Sequence, residues 1–369
     1  MRAATDWRLA ALGIGGFVAM VVVSGLLFLA IPRFDMQSSL FIDRLINRTT
    51  RTGFSDHIRF DEVTDITQDN SLAFSVDGTD PTAMPAVPYW RTVVLDEYTG
   101  EGFRMSEAYR RQLNGYRPLA RQFNGQGRFW HDAPTWTIYM EPGISRYLPL
   151  LGNFHRMLFT EPQTFSLSDE LRIVALQRDP PKMFAYQPWS METTGELKHV
   201  TFALQRRDGK LSGQAFTALP AAPATRERLT SLLDAIAAPS GSNAREFARR
   251  VVQWLGEIHP YSLTSSVPAG SGDTIVRWLY SDTLGHCEFF AGSFVLLTRS
   301  AGYPARLVTG FRGGSWTDFS GSFTVRNAHA WCEIFDDASG SMDPRRFHAG
   351  QSDPRRRRPG RRRRLGPRP

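Results

Sequence analysis

From Cys287 to Leu297 the chain reads Cys-Glu-Phe-Phe-Ala-Gly-Ser-Phe-Val-Leu-Leu, and Phe290, Phe294, Leu297 and Ala301 recur at helical spacing. A turn signal, Ser281, Asp282 and Gly285, stands directly before this run. The spacing predicts a helix with a buried apolar face and with Cys287 in its first turn. Unpaired backbone N–H groups and the helix dipole favour an anion at that end. A free thiol, with a pKa of about 8.5, is only a few per cent ionised near neutrality. A helix N-terminus with a cationic imidazole nearby can lower that pKa to roughly 3.5–7.5. A lone Cys in an apolar helix is otherwise a small core residue, so other residues must decide.

Two follow in the chain, His329 in Asn-Ala-His-Ala-Trp and Asp343 in Met-Asp-Pro. Cys, His and Asp are the residue types of a nucleophile, a base and an orienting carboxylate. The blocks around them are Gly285-x-Cys287-Glu288-x-Phe290-Ala291, Arg299-x-x-Gly302-Tyr303-Pro304-Ala305-Arg306-Leu307-Val308-x-Gly310-Phe311, Ala328-His329-Ala330-Trp331-x-Glu333 and Asp343-Pro344. In this order and rough spacing they resemble the core of the transglutaminase-like superfamily. More narrowly, they resemble the bacterial membrane-anchored transglutaminase-like proteins of the TgpA type. The resemblance covers about residues 243–344. It implies a papain-like α+β core, a Cys helix packed on an antiparallel sheet, with Cys287, His329 and Asp343 as a catalytic triad. That family usually has a Trp shortly before Asp-Pro and a Thr after it, and this chain has neither.

Length and charge set the surroundings. A chain of 369 residues holds two to three domains, and two cysteines are too few for a disulfide framework. Residues 9–31 carry no charge, about 34 Å as a helix against a hydrocarbon core of about 30 Å. The expectation is an uncleaved N-terminal transmembrane helix touching membrane lipid, with residues 1–8 cytoplasmic because Arg2 and Arg8 precede it. This places the chain in the bacterial inner membrane, single-pass, with its catalytic domain on the periplasmic side. TgpA-type proteins carry several such helices, which suggests a fragment or a short variant here.

Residues 32–54 read as a juxtamembrane connector. From 55 to 215 short β-type runs alternate with Gly, Pro, Asn and Asp, the clearest being Ser71–Val76, Tyr89–Tyr98, Thr135–Glu141, Thr164–Ala175 and Lys198–Gln205. They suggest an antiparallel β-sandwich-like domain whose aromatics are mostly core. An Ala/Pro-rich linker opens the transglutaminase-like domain, residues 216–344. Two helices capped at Thr225 and Ser242 come next, and Tyr261 lies in a loop before the Cys helix. Strand alternation over His329–Phe335 puts His329, Trp331 and Glu333 on one face and Cys332 on the other, so no Cys287–Cys332 disulfide is expected.

Residues 345–369 hold eleven Arg and one Asp, about +10 against +8 for the whole chain. The expectation is a disordered basic tail: an arm for nucleic acid or anionic lipid, a solvated tail, or the product of an altered reading frame. A non-cytoplasmic location argues against nucleic acid as a partner. No Cys/His spacing suits a metal and no glycine loop cradles phosphate, so no cofactor is expected.

In the catalytic reading His329 takes the Cys287 proton, the sulfur attacks an amide carbonyl, and Asp343 holds the imidazole. The Cys287 backbone N–H is one oxyanion donor, with Trp278 and His286 as candidates for the second. The thioester then passes to an amine, to water after loss of ammonia, or to water after peptide cleavage. The substrate is a peptide or protein, of the cell envelope in one reading. The alternative is a non-catalytic scaffold with the same fold. Oligomeric state is not readable.

Overall fold

The computed structural model describes residues 7–30, 56–60 and 71–345, apart from 79–80, 119–121, 125–134, 169, 192, 194–196, 209–215, 237–242, 264–266 and 318–320. The chain forms two compact units, residues 1–50 and 51–369. The first contains helix α1, Trp7–Ala30. The transmembrane expectation for 9–31 is corrected here: among the described residues no helix is long and apolar enough to cross a membrane. The connector and residues 346–369 of the basic tail lie outside the described residues.

The second unit is mixed α/β, built on a five-stranded antiparallel sheet. Its strands are β1 (Tyr89–Leu95), β2 (Leu197–Lys198), β3 (Ala305–Arg312), β4 (Ala328–Asp336) and β5 (Ser341–Arg345), in the order β2-β5-β4-β3-β1. A seven-stranded sheet takes Phe74–Gly78, Trp136–Met140, Arg156–Phe159 and Phe184–Trp189 from the aromatic-rich stretch. It also takes Phe323–Val325 from beyond β3. Strands from both sides of residue 215 therefore share both sheets. In Trp136–Met140 the alternation is plain: Trp136, Ile138 and Met140 are buried and Thr137 and Tyr139 half-buried.

The remaining helices are α2 (Glu107–Leu113), α3 (Val200–Arg207), α4 (Pro223–Ile236), α5 (Ala244–Ile258), α6 (Thr274–Leu279) and α7 (Cys287–Ser300). Helix α4 starts at Pro223, earlier than the Thr225 cap expected, because Pro tolerates the first helical position. The cap of α5 is Asn243, whose side chain accepts from Glu246 N at 2.8 Å; Ser242 lies outside the described residues. Lys198–Gln205, expected as a strand, is mostly α3. Its Phe202 packs between Phe216, at 5.2 Å, and Phe335, at 4.8 Å, and this tertiary contact overrides local β preference.

Helix α7 is the centre of the unit, packed on β3 and β4 on one side and on α4, α5 and α6 on the other. Residues 287–299 are all buried. Near its end, Arg299 donates to three backbone carbonyls: Ala305 O at 2.8 and 2.9 Å, Ala218 O at 2.9 Å and Asp96 O at 2.7 Å. One guanidinium thus ties the start of β3, the linker before α4 and the end of β1 to the helix. Burial pushes its pKa down to about 10, so it stays charged at neutrality. Arg299→Met leaves those carbonyls unmatched, and thermal or urea unfolding should show a loss of about 2–5 kcal/mol. A change under about 0.5 kcal/mol would remove Arg299 from this role.

Candidate active site

Cys287 is the first residue of α7, after a His286 N-cap in extended conformation. The turn before it is held by a parallel bridge between Tyr261 and Gly285, with Ser262 N donating to Gly285 O at 2.8 Å. Gly285 is required there, since a Cβ would stand 2.3 Å from the Trp278 ring. This bridge brings Tyr261 beside Cys287, and the Tyr261 hydroxyl and the Ala330 backbone both act to lower the pKa of the thiol. Ala330 follows His329 in β4, so the nucleophile candidate lies beside the backbone that carries the imidazole.

The sulfur is fully buried, and burial, helped by the Glu288 carboxyl, pushes its pKa up to about 12. The hydrogen bonds from Ala330, Tyr261 and Glu288 pull the other way without cancelling it. A thiolate stabilised by the helix end, the sequence expectation, is therefore not the resting state. His286 does not supply a cation: buried in full, with Nδ1 3.7 Å from Glu288 Oε2, it is pushed down to about 4 by desolvation. Desolvation also raises Glu288 well above the ordinary carboxylate value. Trp278 Nε1 donates to Leu284 O at 3.2 Å, which commits the indole elsewhere and removes it as an oxyanion donor. Tyr261 was not assigned to the site from sequence. Its recurrence in the loop before the Cys helix was the available signal.

His329 stands near the start of β4, its ring 5.9 Å from that of Tyr89. The register places it opposite Gly310 of β3, which is itself opposite Arg91 of β1. Asp343 does not join it, and the triad expectation is corrected on this point. Asp343 pairs with Ile334, five positions along β4 from His329, or about 17 Å at 3.4 Å per residue. Paired residues share a face and the face alternates along a strand, so Asp343 also points to the other side of the sheet. There its Oδ2 is 3.5 Å from Arg245 Nε, beside the Arg245–Asp336 pair at 2.9 Å. The positions that would carry β5 toward His329 follow Arg345, outside the described residues. Cys332 is buried and, like Cys287, forms no disulfide. Among the described residues no cluster of His, Cys, Asp and Glu could hold a metal ion.

The TgpA N-terminal domain family matches residues 1–194, and the transglutaminase-like superfamily matches residues 230–344. The chain belongs to the TgpA-type transglutaminase-like proteins. A protein-glutamine gamma-glutamyltransferase of Pseudomonas aeruginosa is 34% identical over 89 residues, 23% of this chain and 13% of that protein. The YebA protein of Bacillus subtilis is 34% identical over 76 residues, 19% of this chain and 10% of that protein. The chain thus matches only about an eighth or less of either relative's length. Crystal structures of the periplasmic domain of TgpA from Pseudomonas aeruginosa, one of them bound to ethylmercury, align with a TM-score of 0.56 at 18% identity. Each covers 79% of this chain and 96% or 93% of the solved domain. The fold of the second unit is the transglutaminase-like one.

Alkylation of Cys287, followed by peptide mapping to separate it from Cys332, should be slow at pH 7.5 and still rising above pH 9. A plateau reached below pH 7 would mean the thiolate is already formed. Asp343→Asn should change kcat/KM less than tenfold, against roughly 10⁴-fold for loss of a carboxylate that orients a catalytic imidazole. A loss of 10³-fold or more would return Asp343 to the active centre.

Proposed function

We propose that the chain is a transglutaminase-like cysteine enzyme that cleaves amide carbonyl–nitrogen bonds of peptides or proteins through a thioester on Cys287. One observation carries this reading: a sulfur at a helix N-terminus stands beside Tyr261 and the backbone of Ala330, next to His329. His329 removes the thiol proton as the sulfur attacks the carbonyl carbon. The C–N bond then breaks, and the imidazolium returns its proton to the departing ammonia or amine. An amine or water attacks the thioester, gives its proton to His329 and releases the thiol. Because the resting thiol is protonated, proton transfer belongs to the attack itself and does not precede it. The Cys287 backbone N–H is the donor offered to the oxyanion.

The gamma-glutamyltransferase relative favours a glutamine carboxamide as acyl donor, and the solved periplasmic domains favour an extracytoplasmic place of action on cell-envelope peptides or proteins. A second reading, a binding scaffold with the same fold, draws on the full burial of Cys287. Release of ammonia, or uptake of a labelled amine, from glutamine peptides separates the two. The wild type should turn over, while Cys287→Ala and His329→Ala should lose at least 10³-fold. Equal, background-level release by all three proteins would leave the scaffold.

A further inference from the structure

The face of the central sheet that carries His329 also carries an imbalance of buried charge. Glu333 of β4 accepts from Arg306 Nε at 2.8 Å and lies 3.3 Å from Arg91 Nη2. All three side chains are at least nine-tenths buried. Among the described residues two guanidinium groups thus share one carboxylate, and Arg91 Nε, Arg91 Nη1 and Arg306 Nη2 have no hydrogen-bond partner there. Leaving a buried guanidinium so poorly matched costs several kcal/mol unless an anion answers it. His199, which feels both arginines, is held neutral, pushed down to about 3 chiefly by burial, and adds no charge.

Arg91 and Glu333 line a cavity of about 130 Å³. Val87, Leu151, Leu197 and Trp331 supply the apolar part of its wall, and Tyr89 and Thr193 add polar groups. That is room for a carboxylate with a few methylenes, since each water in the liquid takes about 30 Å³. Guanidinium N–H pairs match a planar carboxylate two to two, and Val87, Leu151 and Leu197 give its methylenes an apolar contact. The cavity also leads toward the reaction centre. Arg91, Gly310 and His329 form one row across β1, β3 and β4, about 10 Å from first to last. Tyr89, a wall residue, stands against both Trp331, at 5.4 Å, and His329.

We propose that this cavity is a subsite for a free carboxylate of the acyl-donor peptide, held by Arg91 with Arg306 and Glu333 behind it. The subsite rests on the acyl-transfer reading above for its role, though not for its existence. The carboxylate comes from an acidic side chain or from a peptide C-terminus, and two donor series separate these sources. In one the C-terminus is amidated; in the other an Asp or Glu is replaced by Asn or Gln.

The binding arm uses short aliphatic monocarboxylates as probes, with inorganic phosphate and the matching carboxamides as controls, read by thermal stabilisation of the full chain. Wild type should show saturable stabilisation by carboxylates that the carboxamides do not give. Arg91→Gln should abolish it. Val87→Trp, a change at an exposed wall residue that leaves the buried charges intact, should weaken it at least tenfold and covers failure of the first variant to fold. In the kinetic arm, kcat/KM should be at least tenfold higher for the carboxylate form of one donor series than for its neutral form. That ratio should fall below about twofold in Val87→Trp. Carboxylate binding without turnover of any amide would refute the enzyme reading and leave the subsite standing. Absence of carboxylate-specific stabilisation in wild type, or its persistence in both variants, overturns the subsite whatever the kinetics show.

Discussion

Everything at the active centre is inherited from the immobility of α7. A helix buried from residue 287 to residue 299 has no solvent side on which to slide, and its far end is fixed by a charged group that cannot leave its carbonyl partners cheaply. Arg299 reaches into the linker and into two strands at once. The sulfur at the near end is therefore located by a bond network some twelve residues away. Local contacts then refine it: the Tyr261–Gly285 bridge sets the turn, and the Ala330 hydrogen bond sets the distance to β4.

Burial and the helix dipole act on the thiol in opposite directions, and their sizes decide the outcome. A charge at a helix end is worth about 0.3–2 kcal/mol. Moving the thiol from 9.0 to about 12 corresponds to about 4 kcal/mol against the thiolate. Desolvation prevails, and the neighbouring His286 does not restore the balance because burial holds it neutral.

The sequence makes α7 and its first residue legible because a turn signal and a 3.6-residue apolar period coincide at Gly285–Phe290. The β-type runs at Trp136–Met140 and His329–Phe335 are legible for the same reason, at period two. What stays hidden is set by distance in the chain. Nothing local in Tyr89–Leu95 announces that it pairs with β3, more than two hundred residues later, and so brings Arg91 into the row of His329. Asp343 is misread because motif order says nothing of register: a hairpin with a different turn length turns a matching Asp-Pro onto the opposite face. Phe202 shows the reverse case, where a β-branched neighbourhood becomes a helix because two distant phenylalanines receive its ring. The thiol's burial is equally invisible, since spacing gives a face and not the depth at which that face lies.

Gly310 sits between Arg91 and His329 with nothing but a hydrogen where a side chain would be. A methyl group there would lie 1.9 Å from the Trp90 carbonyl oxygen and 3.0 Å from the Trp331 ring, forcing two strands apart. The missing carbon is what lets a guanidinium and an imidazole, delivered by opposite ends of the polypeptide, share a single ledge. Geometry at this point depends on an atom the protein does without, and any drift toward a larger residue would push the strands of Arg91 and His329 apart.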